Sequence, residues 1–374
     1  MADNKDKKVL NVPALRFPEF TEGWATKSIS DLATVTGGGT PDTTVKSYWN
    51  GDIQWFTPSE IGKNKYVDLS LRTITEEGLN NSSAKLLPPY TILLSSRATV
   101  GECSIALQEC ATNQGVQSLI AKNCDIDFLY YLIQTKKKEL IRKACGSTFL
   151  EISANEIRKI HTYVPSINEQ KKIGVLLSLI DKRIDTQNKI IEKLETLIKG
   201  IVETVISSQK PNTLIKNCLE CNSSTLQESQ VAETGTFSVY GATGISGYTE
   251  TAGINGESIL IIKDGSGVGT VKFVSGEYSY IGTLNSLTAK DGYCLKYIYF
   301  ALQRFSFEPY KTGMAIPHIY FKDYGKAKIY CPSLSLQTLI AQKLSLIENK
   351  MEVEKRIILC YQLQKSYLLS RMFI

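Results

Sequence analysis

The chain has 374 residues and a formal net charge of +6; 43% of its residues are hydrophobic and 21% are charged. These values are typical of a globular protein of two or three domains and exclude a disordered or fibrous chain. No window approaches the roughly 20 apolar residues that a membrane span needs, and the polar segment from Met1 to Lys8 lacks the apolar run of a secretory signal. The sequence therefore predicts a cytoplasmic protein. Its mildly basic character permits a polyanionic partner without establishing one.

Cysteine and histidine usage argues against a metal centre. The nine cysteines are expected to be free thiols, as is usual in a cytoplasmic protein. Cys218 and Cys221 form a single CxxC, but no second CxxC or nearby histidine pair completes a zinc site. The two histidines, His161 and His318, are too few for a histidine-rich site.

Residues 1–20 are interpreted as a polar tail and a short arm, and residues 21–164 as a first module. In this module short apolar runs are broken by Gly, Pro and Asn, which indicates strands at 91–95 and 116–120. The segment from Asp127 to Arg142 has the apolar spacing of a helix. The module is therefore expected to be mixed α and β.

Residues 165–210 are expected to form one long helix. Apolar residues recur at alternating steps of three and four for about five heptads, which is typical of a coiled coil, with Gln187 as the one polar residue in the series. Pro211 is expected to end the helix. The predicted pairing residues are Ile173, Leu177, Ile180, Ile184, Ile191 and Leu194.

The same pattern recurs 167 residues later. Residues 211–331 form a second mixed module with predicted strands at 258–262 and 270–274 and a helix near 295–305. Residues 332–374 form a distal helix, in which Glu354 aligns with Gln187. The two helices are expected to pack on each other, the alternative being that each pairs with a separate partner. The distal pairing residues are Ile340, Leu344, Ile347, Met351 and Ile358.

No catalytic motif is recognised in the sequence. Leu87-Pro88-Pro89-Tyr90 superficially resembles an amino-methyltransferase motif, but Leu87 cannot accept hydrogen bonds from an amine, so a turn before a strand is the better interpretation. The glycine-rich run 265–269 lies between two predicted strands and lacks the helix that a phosphate-binding loop requires. A hairpin or tight turn is expected there.

Both modules contain polar and basic residues of the kinds that bind nucleic acid. Asn, Gln, Arg and Ser read base edges, and Lys and Thr commonly hold phosphates. Each residue taken alone is more often an ordinary loop or core residue than a DNA contact, and Trp49 and Trp55 are expected in the core. The candidate DNA-binding residues are Thr40, Gln54, Thr57, Ser59, Lys63, Lys65, Arg97, Asn113 and Gln114 in the first module, and Tyr240, Thr243, Lys263, Lys272, Asn285 and Lys311 in the second.

Several of these motifs together resemble the specificity subunit of type I restriction–modification systems. The resemblance covers nearly the whole chain, in order, and is carried by the arm at 15–20, Gly39-Thr40-Pro41, Tyr48-Trp49, Ile53-Gln54-Trp55, Thr112-Asn113-Gln114-Gly115, Tyr240-Gly241, the run 244–248, and the two blocks 165–170 and 332–337. It implies a mixed α/β (α+β) fold in which two target-recognition domains are separated by two long antiparallel helices, with an internal pseudo-two-fold repeat.

The resemblance also implies a non-catalytic role in a larger complex. Each recognition domain would read one half of a bipartite site in double-stranded DNA. The implied partners are two methyltransferase subunits, which use S-adenosylmethionine to methylate adenine, and restriction subunits, which use ATP and Mg; this chain itself would hold no cofactor. Two other hypotheses stay open: a coiled-coil scaffold whose two domains bind proteins, and an enzyme acting on polysaccharide or nucleotide.

Overall fold

The computed structural model describes residues 11–146 and 150–374. The polar tail expected from Met1 to Lys8 lies outside the described residues. The chain divides into two compact units. Unit 1 extends to Gln187 and includes Ile357–Ile374, and unit 2 is Asn188–Arg356. Each long helix therefore contributes one part to each unit.

The described residues of unit 1 that precede the first long helix form ten short strands and five short helices. A 3-10 turn occupies Lys46–Tyr48. The strands are β1 (Ala25–Ser28), β2 (Ala33–Gly37), β3 (Trp49–Phe56), β4 (Tyr66–Val67), β5 (Arg72–Ile74), β6 (Ile92–Ser95), β7 (Cys103–Ala106), β8 (Cys110–Thr112), β9 (Val116–Ala121) and β10 (His161–Val164). The helices are α1 (Ile29–Leu32), α2 (Glu76–Asn80), α3 (Ile126–Thr135), α4 (Lys137–Lys143) and α5 (Ala154–Arg158).

The strands of unit 1 form a five-stranded sheet in the order β2-β9-β6-β7-β4, a three-stranded sheet β5-β3-β8, and the pair β1-β10. Strands β6 and β7 are buried on both faces, which explains why Ile92–Ser95 reads as a continuous apolar run without alternation. The predicted strands at 91–95 and 116–120 are confirmed as β6 and β9. Pro88 and Pro89 lie in the turn before β6, and Trp49 and Trp55 are buried, as predicted.

The helix predicted from Asp127 to Arg142 is interrupted in the structure. Helix α3 ends at Thr135 and α4 begins at Lys137. The Thr135 hydroxyl donates to the Leu132 carbonyl, 2.7 Å away, and so competes with the backbone hydrogen bonds of the next turn. The apolar spacing alone did not indicate this break.

Unit 2 contains ten further strands and three short helices. Two 3-10 turns lie at Glu228–Gln230 and Glu308–Tyr310. The strands are β11 (Thr213–Leu214), β12 (Leu219–Ser223), β13 (Phe237–Gly241), β14 (Gly244–Thr249), β15 (Ile254–Asn255), β16 (Ser258–Ile262), β17 (Val271–Val274), β18 (Glu277–Tyr280), β19 (Leu284–Ala289) and β20 (Lys328–Ile329). The short helices and the two long ones are α7 (Ile215–Cys218), α8 (Leu295–Gln303), α9 (Phe321–Tyr324), α6 (Ile167–Val202) and α10 (Leu334–Met372).

The sheets of unit 2 repeat the plan of unit 1. The order β12-β19-β16-β17 corresponds to β2-β9-β6-β7, and the pair β11-β20 corresponds to β1-β10. Strand β13 pairs with its neighbours β14 and β18 in antiparallel and parallel fashion, as β3 does with β5 and β8. The strands predicted at 258–262 and 270–274 form an antiparallel hairpin, and the glycine-rich run 265–269 is its turn, as predicted.

The two long helices pack on each other. In unit 1 Ile173, Leu177 and Ile180 share one core with Leu368 and Met372. In unit 2 Ile198 and Val202 of α6 share a core with residues from the first turns of α10, among them Ile340 and Leu344. The start of α6 thus meets the end of α10 in one unit, and its end meets the start of α10 in the other, which makes the pairing antiparallel.

Every predicted pairing residue is buried or half-buried. Full burial is confined to positions next to the sheets and short helices of each unit, whereas Ile184, Ile191, Leu194, Ile347, Met351 and Ile358 are half-buried. Helix α6 is followed by a short π-helical turn, Glu203–Ser207, before Pro211. No helix among the described residues is both long and apolar enough to cross a membrane.

Candidate nucleic-acid interface

Three loops of unit 1 meet at the turn between β8 and β9. The Asn113 N–H donates to the Phe56 carbonyl at 3.0 Å, and the Gly39 N–H donates to the Thr112 carbonyl at 2.8 Å. A third bond of 2.9 Å joins the Ser96 N–H to the Gly115 carbonyl. These bonds gather residues 38–40, 57–59, 96–97 and 113–115, which we name loop cluster 1.

Glycine is required where two of these loops touch. A Cβ on Gly38 would lie 2.3 Å from the Thr112 carbonyl oxygen, and one on Gly39 would lie 2.4 Å from the Ala84 nitrogen. Any side chain at either position would force these backbone segments apart. The Gly39-Thr40-Pro41 motif therefore has a steric role in holding loop cluster 1 together.

Five of the predicted residues line loop cluster 1. The Thr40 hydroxyl donates to the Gln114 side-chain oxygen at 2.5 Å, and Gln114 is exposed. The Thr57 hydroxyl donates to Glu60 at 2.6 Å and lies 3.0 Å from the hydroxyl of exposed Ser59. The Asn113 side-chain oxygen accepts the Gly115 N–H at 2.9 Å. The cluster thus presents hydroxyl and amide groups on a backbone fixed from three sides.

The other candidates of unit 1 have different surroundings. Lys63 is exposed. The Gln54 side-chain oxygen accepts two bonds from Ser70, at 2.7 and 3.0 Å. Lys65 is only 7% exposed; its ammonium lies 2.6 Å from Asp127 and 2.5 Å from the Ser178 hydroxyl. Lys65 therefore joins its loop to α3 and α6 within unit 1.

Arg97 forms an ion pair across the edge of loop cluster 1. Its Nε lies 2.9 Å from a carboxylate oxygen of Glu151. Glu151 in turn exchanges two backbone hydrogen bonds of 2.9 Å with Cys145. Both side chains are about two-fifths exposed, so solvent weakens the pair, and its main effect is to hold Glu151 at the edge of the cluster.

Unit 2 builds the same kind of cluster with different side chains. The Ile281 N–H donates to the Tyr240 carbonyl at 3.0 Å, as the Asn113 N–H does to Phe56. The Lys263 N–H donates to the Thr283 carbonyl at 3.0 Å, as Ser96 does to Gly115. We name residues 240–243, 263–265 and 281–283 loop cluster 2.

The candidates of unit 2 lie in or around loop cluster 2. Thr243 is exposed, and the Lys272 ammonium lies 4.5 Å from the centre of the Tyr240 ring. The Lys311 ammonium lies 2.5 Å from Glu308. Asn285 is only 5% exposed and accepts a 2.8 Å bond from Ser223, which places it inside the sheet, away from the surface of the cluster.

Sequence reasoning missed an ion pair in unit 2. His318 Nδ1 lies 2.7 Å from Asp264 Oδ1, and these positions follow Glu151 and Arg97 by the same 167 residues that separate the two helices. The two pairs occupy corresponding places, with the carboxylate on Glu151, the later residue, in unit 1 and on Asp264, the earlier residue, in unit 2. The signal was present in the sequence, because the constant offset extends beyond the helices into the modules.

Sequence reasoning also missed the role of a duplicated glutamine. The Gln170 side chain donates to the Pro165 carbonyl at 2.9 Å and accepts the Asp125 N–H, at the start of α3, at 3.0 Å. Gln337 makes the corresponding bonds to Pro332 at 2.8 Å and to the Cys294 N–H, at the start of α8, at 3.0 Å. Each glutamine thus fastens a long helix to the short helix of its own unit.

The chemistry of the two clusters is that of binding. Hydroxyls, amides and lysines can donate to or accept from a nucleic acid. Burial raises the pKa of the Cys110 thiol, in the core of unit 1, to about 12. Among residues 11–146 and 150–374 no group of three or more His, Cys, Asp or Glu side chains could hold a metal ion.

The chain matches the family model described as "Type I restriction modification DNA specificity domain" over residues 21–196 and 215–359. It is 39% identical over 184 residues to the type I restriction enzyme MjaIX specificity subunit of Methanocaldococcus jannaschii, covering 47% of this chain and 43% of that protein. It is 30% identical over 202 residues to the EcoR124I/EcoR124II specificity subunit of Escherichia coli, covering 51% and 48%. The matched regions thus span about half the length of these relatives.

The fold is similar to that of a solved protein. The type I restriction–modification S subunit from M. genitalium superposes with a TM-score of 0.67 at 18% sequence identity, covering 97% of this chain and 99% of that chain. At this identity the likeness concerns the fold: a mixed α/β arrangement with two long helices. Because the family model matches most of the chain in two successive regions, the chain belongs to the family of type I restriction–modification DNA specificity domains.

Proposed function

We propose that this protein is the DNA sequence-specificity subunit of a type I restriction–modification complex. It binds a bipartite site in double-stranded DNA, with one half-site read by each unit, and directs partner subunits to methylate adenine or cleave DNA. The observation that carries the proposal is the duplicated loop cluster: two corresponding backbone hydrogen bonds in each unit hold polar surfaces that differ in side chains. Two recognition surfaces with a similar backbone framework and different side chains suit two half-sites of different sequence.

The residues assigned to DNA are accessible side chains of the two clusters, together with the exposed Lys63 and Lys272. Hydroxyl and amide groups can read base edges, and lysines can hold phosphates. Five candidates are left out because their side chains are engaged in bonds within the protein: Gln54, Lys65, Arg97, Asn285 and Lys311. The proposed DNA-facing residues are Thr40, Thr57, Ser59, Lys63, Asn113 and Gln114 in unit 1, and Tyr240, Thr243, Lys263 and Lys272 in unit 2.

The functional domains follow the repeat in the sequence. Residues 1–20 form the tail and arm, 21–164 and 211–331 the two target-recognition domains, and 165–210 and 332–374 the conserved helices. The partners are two methyltransferase subunits and restriction subunits, which supply S-adenosylmethionine, ATP and Mg. The protein acts in the cytoplasm, contributes no catalytic group and meets no membrane.

The test is a map of adenine methylation in the host genome with and without this gene. Loss of methylation at one two-part motif with a fixed gap is the expected result. An unchanged map, with the methyltransferase subunit shown to be expressed, would contradict the proposal. A protein-binding scaffold would in addition show no salt-dependent DNA affinity in the purified complex, because phosphate contacts make binding weaken as salt rises.

A further inference from the structure

We infer that the hairpin from Thr312 to His318 is a base-reading element of unit 2. Its exposed apolar tip, Met314 and Ile316, contacts the base edges of one half-site, and the Asp264–His318 pair positions that tip. The inference rests on the proposed function and deepens it, because none of these four residues belongs to the polar surface assigned above.

The hairpin is short, closed and joined to loop cluster 2. Thr312 and His318 exchange two backbone hydrogen bonds, at 2.9 and 2.8 Å. The Ile319 N–H donates to the Lys263 carbonyl at 2.9 Å, and the Gly265 N–H donates to the Pro317 carbonyl at 3.0 Å. The hairpin is therefore continuous with the proposed DNA surface.

The backbone inside the hairpin depends on one glycine. Gly313 has a φ of +89°, a conformation that side chains rarely adopt. A Cβ at this position would also lie 2.4 Å from the Ile316 carbonyl oxygen. The tight turn at the tip therefore requires glycine at position 313.

Both apolar residues at the tip are exposed. Met314 is fully exposed, and Ile316 is 59% exposed. No charged residue lies between Gly313 and Pro317. The edges of base pairs offer apolar contacts, of which the thymine methyl group is one, and apolar side chains are used to read them. An apolar tip at the border of a polar, lysine-bearing cluster suits DNA, in which phosphates flank the bases.

The corresponding residues of unit 1 give independent support for the positioning role of the Asp264–His318 pair. In unit 1 Cys145 and Glu151 exchange the same pair of backbone bonds, and Glu151 is held by Arg97, where unit 2 uses Asp264. Gly146, like Gly313, has a positive φ, at +134°. A side-chain pair is thus kept at this place in both units, while the carboxylate and its partner exchange positions. This is expected if the geometry of the pair matters and the position of the carboxylate does not.

The first experiment tests substitutions at the tip of the hairpin. It uses the complex that the full chain forms with its methyltransferase subunits. Met314→Ala and Ile316→Ala are expected to lower discrimination against altered bases in one half-site about tenfold, and to leave the other half-site unchanged. Leu346→Ala, at an exposed position on α10, is the matched control and should leave both half-sites unchanged. Since Met314 makes no packing contact, thermal stability should not change.

The outcomes separate the inference from the function it rests on. Wild-type complex that methylates no bipartite motif refutes the proposed function, whatever the variants do. Wild-type complex that does so, with unchanged discrimination in both tip variants, overturns the inference. Variants that lose the methyltransferase subunit but keep DNA discrimination would assign the tip to a protein contact, which also overturns it.

The positioning role of the Asp264–His318 pair is tested by exchanging which of the two positions carries the acidic side chain. Asp264→Arg should weaken discrimination at the same half-site that Met314→Ala affects, because the bond to His318 is lost. The double variant Asp264→Arg with His318→Glu rebuilds the pair with the polarity of unit 1, and discrimination should return to within about threefold of wild type. A single variant without effect, or a double variant that does not recover, contradicts the positioning role.

Discussion

At the scale of single residues, the duplicated Gln170 and Gln337 explain why a short motif recurs. Both side chains are buried, at 3% and 1% exposure, and each satisfies a proline carbonyl of its own block and the first N–H of a short helix. Burial makes these bonds costly to lose, because neither the N–H nor the carbonyl can turn to water. The motif is therefore a fastening between a long helix and its module.

Replacement of Gln170 by Leu should destabilise unit 1. The change leaves the Asp125 N–H and the Pro165 carbonyl without partners, at about 1–3 kcal/mol for each buried group. Amide hydrogen exchange in α3 should rise accordingly. The control is Gln364→Leu on the exposed face of α10, where exchange should not change. Equal effects of the two variants would disprove the fastening role.

The buried thiols of unit 1 predict how its stability depends on pH. Burial raises the pKa of Cys103, Cys110 and Cys124 from 9.0 to about 12. In the unfolded chain these thiols lose their protons at lower pH than in the folded chain. The stability they contribute is therefore complete below about pH 9 and is lost as the pH rises towards 12, at about 1.4 kcal/mol per pH unit for each thiol.

Urea denaturation at pH 8 and pH 10 measures this effect. Cys110→Ala should reduce the loss of stability between the two pH values, whereas Cys360→Ala, at an exposed position, is the matched control and should not. Tyrosine ionisation contributes equally to the pH dependence of stability in the wild type and in both variants, so it cancels from the comparison. A pH slope that is the same in all three would show that burial of Cys110 does not control ionisation.

At the scale of elements, the long helices show why a heptad seam does not mean uniform burial. Leu177 and Leu344 are completely buried in the cores of units 1 and 2, whereas Ile191 and Leu194 are only half-buried. Two helices alone leave the rims of an apolar seam open to water. The buried Glu354 interrupts the seam and forms an ion pair with Lys350 on the same helix.

Two neighbouring leucines of α6 provide a matched comparison. Leu177 is completely buried, whereas Leu179 is 56% exposed. Leu177→Ala should lower the free energy of unfolding by about 2–5 kcal/mol through lost burial and the cavity left behind. Leu179→Ala should change it by about 0.5 kcal/mol or less. Chemical denaturation of both variants measures the difference, and similar values would contradict the assigned helix face.

At the scale of the whole molecule, duplication has kept the framework and changed the surfaces. The core sheets, the short helix beside each sheet and the glutamine fastening recur in both units. The loop clusters keep their backbone bonds but carry different side chains. The units also differ in β4, which adds a fifth strand beside β7 in unit 1, whereas β17 is the last strand of its sheet in unit 2.

Under the proposed function the two clusters should be separable by mutation. Gln114→Ala should alter recognition of one half-site by about 1–3 kcal/mol, and Thr243→Ala should alter the other half-site only. The measurement is a methylation map for each variant in cells with the partner subunits. If both variants changed the same half-site, the assignment of one half-site to each unit would be wrong.

The sequence by itself determined the repeat, the two mixed modules, the long helices and most of the strands tested above. These follow from local properties: apolar spacing sets a helix or strand face, and Pro and Gly end it. The sequence also indicated the polar composition of the later loop clusters. It did not indicate the break at Lys136, between the end of α3 and the start of α4.

Only the tertiary structure decided which polar residues share a surface. Lys63 and Lys65 are equivalent in composition and nearly adjacent, yet one is exposed and the other is held by Asp127, more than sixty residues away in sequence. Asn285 is polar but lies in the interior of a sheet, and His318 meets Asp264 only because a hairpin returns to the end of β16. Such contacts join residues far apart in the chain, and local patterns hold no information about them.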